Sequence, residues 1–209
     1  NHEAYEALNQ ATHPGFIRQE RAKRQGHEAE YRLAVLFEYL KIPFEPKEKS
    51  TNPLSKDATI NNVSFDIVVP NVVLPLVVVK STVHTANIGQ YGESKDHLEM
   101  DEARKMLNSS YDGKKRPTLL ALIDGIGFRS NSAGLNGVLT CSDEFCQFST
   151  IWKAVIVAAS RINKTVNLSA DKDYLTKFTP FLLKYKRNII IDRHLKSGIE
   201  AGNAFVILK

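Results

Sequence analysis

Two charged residues stand inside apolar runs. Asp66 interrupts Ser64-Phe65-Asp66-Ile67-Val68-Val69, and Lys80 closes Leu76-Val77-Val78-Val79-Lys80. A charge in such a run costs solvation free energy unless it is paired or binds something. Asp66, Lys80 and one further carboxylate suit metal-dependent hydrolysis of a phosphodiester. Carboxylate oxygens hold Mg²⁺, and the ion polarises the scissile phosphate and lowers the pKa of an attacking water. An ammonium nearby stabilises charge on that water or on the five-coordinate transition state. The alternative is a structural salt bridge between Asp66 and Lys80 in an α/β protein of another kind.

The elements that must position these groups follow from the pattern around them. Residues Val63 to Val69 and Val72 to Thr82 are predicted strands by their β-branched content, with Pro70-Asn71 and Pro75 at the turn. The two runs are symmetric about residue 73, so an antiparallel hairpin sets Asp66 opposite Lys80. A helix is predicted from Gln90 to Asn108, with Glu93, His97, Met100, Arg104 and Leu107 on one face and Glu99 and Glu102 in solvent on the other. Upstream, Arg18 to Leu40 is helical and stops before Pro43; Leu33, Ala34, Phe37 and Leu40 share an apolar face. Glu30 sits on that same face. It must pair with an Arg or Lys at the helix rim or bind a cation. Ile42 to Glu45 opens the sheet, and Lys47 to Asn62 reads as loop.

Further on, Thr118 to Ile123 is a buried strand ending at Asp124-Gly125. Gly137 to Thr140 is a short strand, and Ser142-Asp143-Glu144 begins a helix. Ile151 to Ile162 is helical with Trp152, Val155, Ile156 and Ala159 in the core. Tyr174 to Lys186 is helical despite Pro180, and Asn188 to Ile191 and Ala204 to Leu208 are strands. This order implies an α/β fold with a mixed sheet flanked by helices. Residues 1–150 form the core unit, and residues 151–209 are an extension of the same domain or an element for dimerisation or DNA contact.

With 209 residues and 43% hydrophobic content the chain can bury a core as one domain. It has no apolar run near the ~18 residues of a membrane span and nothing that reads as a signal peptide. It begins at Asn1, which suggests a trimmed chain or a piece of a longer one. Its two cysteines, Cys141 and Cys146, lack nearby histidines for zinc and read as reduced cytoplasmic thiols. The net charge is +5. Basic residues cluster at Arg18, Arg21, Lys23 and Arg24 and again between Lys184 and Lys196, as suits a phosphate backbone.

The Asp66–Lys80 hairpin, after a helix carrying Gly26 and Glu30, resembles the PD-(D/E)xK nuclease superfamily, and within it type II restriction endonucleases. The segments Leu119 to Phe128 and Gly137 to Phe145 are similar to pieces of restriction-enzyme cleavage domains. The likeness covers about residues 20–150. It implies a restriction-endonuclease-like mixed sheet, Mg²⁺ as cofactor, double-stranded DNA as substrate and a homodimer that cuts both strands. The pattern departs at one place, since Val78 stands where the superfamily has an acid two positions before the lysine. One group of restriction enzymes also lacks that acid and supplies a glutamate from the following helix. By this resemblance Glu93, 13 positions past Lys80, takes the role. Asp66 and Glu93 would then hold the metal, and Lys80 would assist the water. Glu30 is similar to the first-helix acid that contacts a second metal or orients the first. Arg18, Arg21, Lys23, Arg24, Ser81, His84 and Arg104 would contact DNA, fixing register without reading sequence. Two alternatives stay open: an inactive nuclease-like module for DNA binding or assembly, and a junction-resolving or repair nuclease.

Overall fold

A computed structural model describes residues 14–83, 90–129, 132–170, 172–191 and 205–208. The chain enters through α1 (Pro14–Tyr39) and a single 3-10 turn at Lys47–Ser50. A small antiparallel hairpin follows, β1 (Ala58–Ile60) with β2 (Val63–Phe65). Next come β3 (Ile67–Val69), β4 (Val77–Val83), α2 (Gln90–Ser110) and β5 (Thr118–Asp124). α3 (Ser132–Cys141), β6 (Glu144–Cys146) and α4 (Trp152–Arg161) complete the central unit.

The central sheet has the order β3-β4-β5-β6. β3 and β4 pair antiparallel, whereas β4, β5 and β6 are parallel. The fold is therefore α/β with a mixed sheet. Both faces of the sheet are covered, which is why its strands read as continuous apolar runs. Ile67, Val69, Val77, Val79, Leu120 and Leu122 pack with Leu33, Ala34 and Phe37 of α1 and with α4. Val68, Val78, Leu119, Ala121 and Ile123 pack with Met100, Ala103 and Leu107 of α2, with α3, and with the small hairpin.

The remaining elements are β7 (Val166–Ala170), α5 (Lys172–Lys177), α6 (Thr179–Lys184), β8 (Ile189–Ile191) and β9 (Phe205–Leu208). Their strands make a separate parallel sheet in the order β8-β7-β9. Val166, Leu168 and Leu182 nevertheless belong to the same core as Leu33 and Phe37. Trp152 stacks edge-on against Phe178 and Phe181, at 5.3 and 5.6 Å. Residues 151–191 thus share the core and do not build one of their own.

Several expectations need correction. The stretch Lys47 to Asn62 is not all loop. Asn61 and Asn62 have φ of 47° and 66°, the left-handed pair that a two-residue hairpin turn requires, and they fold β1 onto β2. Gly137 to Thr140 is not a strand but the second half of α3, and the strand is Glu144–Cys146, where a helix start was expected. A four-residue apolar run fits either period. Helical spacing wins here because it buries Val138 and Cys141, and because Gly137 lets α2 come close. A Cβ at Gly137 would lie 3.0 Å from His97 Cγ. Ile42 to Glu45 contributes only an isolated bridge, Glu45 to Val68. The predicted helix from Tyr174 to Lys186 is two short helices that meet at Phe178. His84 lies outside the described residues.

Candidate metal and phosphate site

The expected hairpin register holds through Ile67↔Val79, Val68↔Val78 and Val69↔Val77, and then breaks. Asp66 donates its N–H to Val79 C=O at 3.0 Å, although Ile67 already faces Val79. One extra residue on one strand is a β-bulge, and it re-aims the side chains that follow. Phe65 packs on the α2 side of the sheet and Ile67 on the α1 side, although two residues apart in an unbroken strand would share a face. Asp66 is left at the joint between the two layers. Its Oδ2 accepts the N–H of Ser81 at 2.5 Å, a ladder donor that the bulge has displaced.

Two carboxylates meet Asp66 there. Glu30 of α1 is 6% exposed, and Asp57 lies just before β1. One oxygen from each of Glu30, Asp57 and Asp66 can lie within 4.8 Å of the others. Lys49, on the 3-10 turn and 0% exposed, reaches into the cluster. Its Nζ donates to Glu30 Oε2 and, at 2.7 Å, to Asp57 Oδ1. Asp57 Oδ2 accepts from Ser64 Oγ at 3.1 Å, and His27 Nδ1 lies 3.6 Å from Glu30 Oε2. The expected pairing of Glu30 is thus found, in the interior and not at the helix rim.

The electrostatics follow from burial among like charges. Burial pushes the Asp66 carboxyl up to about 8; the charges of Glu30 and Asp57 add to this, while the Ser81 N–H and Lys49 oppose it. Glu30 is also raised, first by burial, with Lys49 pulling it back. Burial works against the charge on Lys49, but its bonds to Asp57 and Glu30 outweigh that and hold the ammonium above its ordinary value. The cluster thus pairs a firmly charged Lys49 with carboxyls, Asp66 above all, that hold their protons more tightly than usual.

Lys80 borders the same space. Its Nζ lies 3.9 Å from Glu99 Oε2 and 5.9 Å from the Phe65 ring centroid. Asp66 and Lys80 open onto a cavity of about 360 Å³ that is also lined by Asp57, Asp96, Glu99 and Glu102. Glu99, expected in solvent on the far side of its helix, is a wall of this cavity. Ser81 lines it as well, and the Ser81 Oγ is buried without a hydrogen-bond partner. Val78 is sealed, 0% exposed, in the core shared with α2.

Other expected site residues stand elsewhere. The backbone of Glu93 lies in the first turn of α2, but its side chain is outside the described residues, as are those of Arg18, Arg21, Lys23 and Arg24 in α1. Arg104 is not among the described residues lining the cavity. Its Nη1 donates to Asp143 Oδ1 at 2.6 Å and to Cys141 C=O at 3.2 Å, so its guanidinium ties α2 to the α3–β6 link. Cys141 and Cys146 are buried free thiols. Burial raises both, Cys146 to about 12, so neither is a nucleophile at neutral pH. Sequence reasoning missed Lys49 and Asp57. The one signal was Glu30 itself, since a carboxylate on an apolar helix face demands a partner.

No family model, curated protein or solved structure matches this chain. The donor set must speak for itself. Clustered carboxylate oxygens are donors that could hold a metal ion of the hard, oxygen-liganded class.

Proposed function

We propose that the protein is a Mg²⁺-dependent DNA endonuclease whose reaction takes place in the Asp66–Lys80 cavity. The observation that carries this reading is the convergence of Asp66, Lys80 and the buried Ser81 hydroxyl on a cavity with four more carboxylates, Asp57, Asp96, Glu99 and Glu102. With Asp66 held protonated and Asp57 paired to Lys49, Asp96, Glu99 and Glu102 still outnumber the Lys80 ammonium and repel a phosphodiester, so such a cavity accepts one only with a cation present. Asp66, with the α2 acids Glu99 and Glu93, would hold Mg²⁺, and Ser81 Oγ offers a further oxygen. Bound there, the ion supplies Lewis-acid polarisation and a more acidic water. Lys80 stabilises the negative charge that builds on the attacking or non-bridging oxygen.

The finer assignment is a type II restriction endonuclease, cytoplasmic and homodimeric, acting on double-stranded DNA. It rests on the resemblance of the hairpin and on the basic residues near Arg18–Arg24. In favour of the coarser part, no helix among the described residues is long and apolar enough to cross a membrane. A second reading, an inactive nuclease-like module, is favoured by the neutralised cluster around Lys49 and by the sealed Val78.

The test is cleavage of supercoiled plasmid with Mg²⁺ by the parent, Asp66→Ala and Lys80→Ala. Each variant is expected to lose at least ~10²-fold in rate. Equal cleavage by all three removes the site assignment. DNA binding without cleavage by the parent selects the inactive module, and preference for branched over linear duplex selects the junction-resolving or repair nuclease.

A further inference from the structure

Glu30 stood either as half of an ion pair or as a ligand to a cation, and the geometry joins the two. The Lys49 side chain is wholly buried, and its ammonium bridges Glu30 and Asp57. These are two of the three carboxylates whose oxygens gather around one point. An ammonium so placed is a compact cation with a carboxylate shell. We propose, on the metal-dependent reading above, that Lys49 is the resident cation of the acid cluster, standing where a second divalent ion would bind and limiting the site to one.

Charge and donor use both argue for this. Glu30 and Asp57 together carry two negative charges at most, and Lys49 already offsets one. A divalent ion between the same oxygens would face the ammonium at contact distance in a poorly hydrated place, where like charges repel strongly. The oxygens are also engaged: Glu30 Oε2 and Asp57 Oδ1 accept from Lys49, and Asp57 Oδ2 accepts from Ser64. Asp66 differs, since its carboxylate stands beside the Lys80 cavity, where an ion and a phosphate can enter. A single ion is therefore held from the Asp66 side. Glu30 becomes a positioning residue that acts through Lys49 and is not a ligand.

The experiment counts Mn²⁺ bound per chain, by titration with electron paramagnetic resonance of the free ion, on the full chain. The parent is expected to bind one ion, Lys49→Arg one, and Lys49→Gln two, because the shorter, neutral side chain removes the charge. One ion in both the parent and Lys49→Gln overturns the proposal and leaves the nuclease reading intact, as do two ions in the parent. A parent that binds none overturns both. If Lys49→Gln is unfolded without metal, the proposal requires that Mn²⁺ refold it, since the ion then takes the place of the ammonium. Failure of Mn²⁺ to restore its circular dichroism counts against Lys49 as a surrogate cation.

Discussion

Asp66→Asn should make the metal-free protein more stable at pH 8, and by less than half as much at pH 5. The carboxyl of Asp66 is raised from 3.8 to about 8 by burial and by Glu30 and Asp57. A group raised in the folded state contributes stability that is complete below its unfolded pKa, near 4, and is lost as pH climbs through about 8. Glu30 is raised too and works in the same direction. Lys49, held above its ordinary value, keeps its proton throughout this window. Four pH units at about 1.4 kcal/mol each set a ceiling of about 6 kcal/mol. Water reaches Asp66 from the cavity and the shift is shared with its neighbours, so about 2–3 kcal/mol is expected at pH 8. For a chain of this size that is roughly 4–12 °C in Tm. Asparagine can still accept the Ser81 N–H and donate toward Glu30, so the gain comes from removing the charge. The assay is urea or thermal unfolding of parent and variant in EDTA at pH 5 and 8. Subtracting the two proteins cancels groups remote from the cluster, while Glu30 and Asp57, which interact with Asp66, stay in the difference. A difference that is the same at both pH values, or larger at pH 5, refutes the reasoning.

Two other substitutions test how the site is held. Asp143 accepts from Arg104, Arg116 and the Leu119 N–H, so Asp143→Ala takes one acceptor from three half-buried donors and should cost about 2–3 kcal/mol, read as the urea midpoint; a loss below about 1 kcal/mol would place those pairs in the weak surface class. Val78→Asp puts a carboxylate into a sealed apolar core and should cost at least about 3 kcal/mol in EDTA at pH 7. If that variant instead keeps its midpoint and cuts DNA faster than the parent, position 78 opens to the cavity and an acid belongs there.

The legible part of this fold was the part set by local periodicity. The symmetric valine runs specified the β3–β4 register, and the apolar stripe of α1 specified the face that covers it. The burial cost of Glu30 announced a missing partner. The Ala58–Phe65 hairpin was present in the alternation around Asn61-Asn62, a turn signal easily lost among the polar residues before it. Gly137 to Thr140 was ambiguous in kind, because a short apolar run satisfies both periods and only the close approach of α2 decides between them.

Side-chain period and desolvation alone bring the Asp66 and Lys80 ends of the two valine runs together and turn Glu30 inward. Only the tertiary structure decided what surrounds them. The bulge at Asp66 is one extra residue that no period records. It turns the carboxylate from the ladder toward groups 36 positions upstream, at Glu30, and 9 upstream, at Asp57. Lys49 and Glu99 arrive from a loop and from a helix face that pattern alone assigns to solvent. Their placement depends on how whole layers pack, and a buried cation's position is set by the carboxylates that must neutralise it.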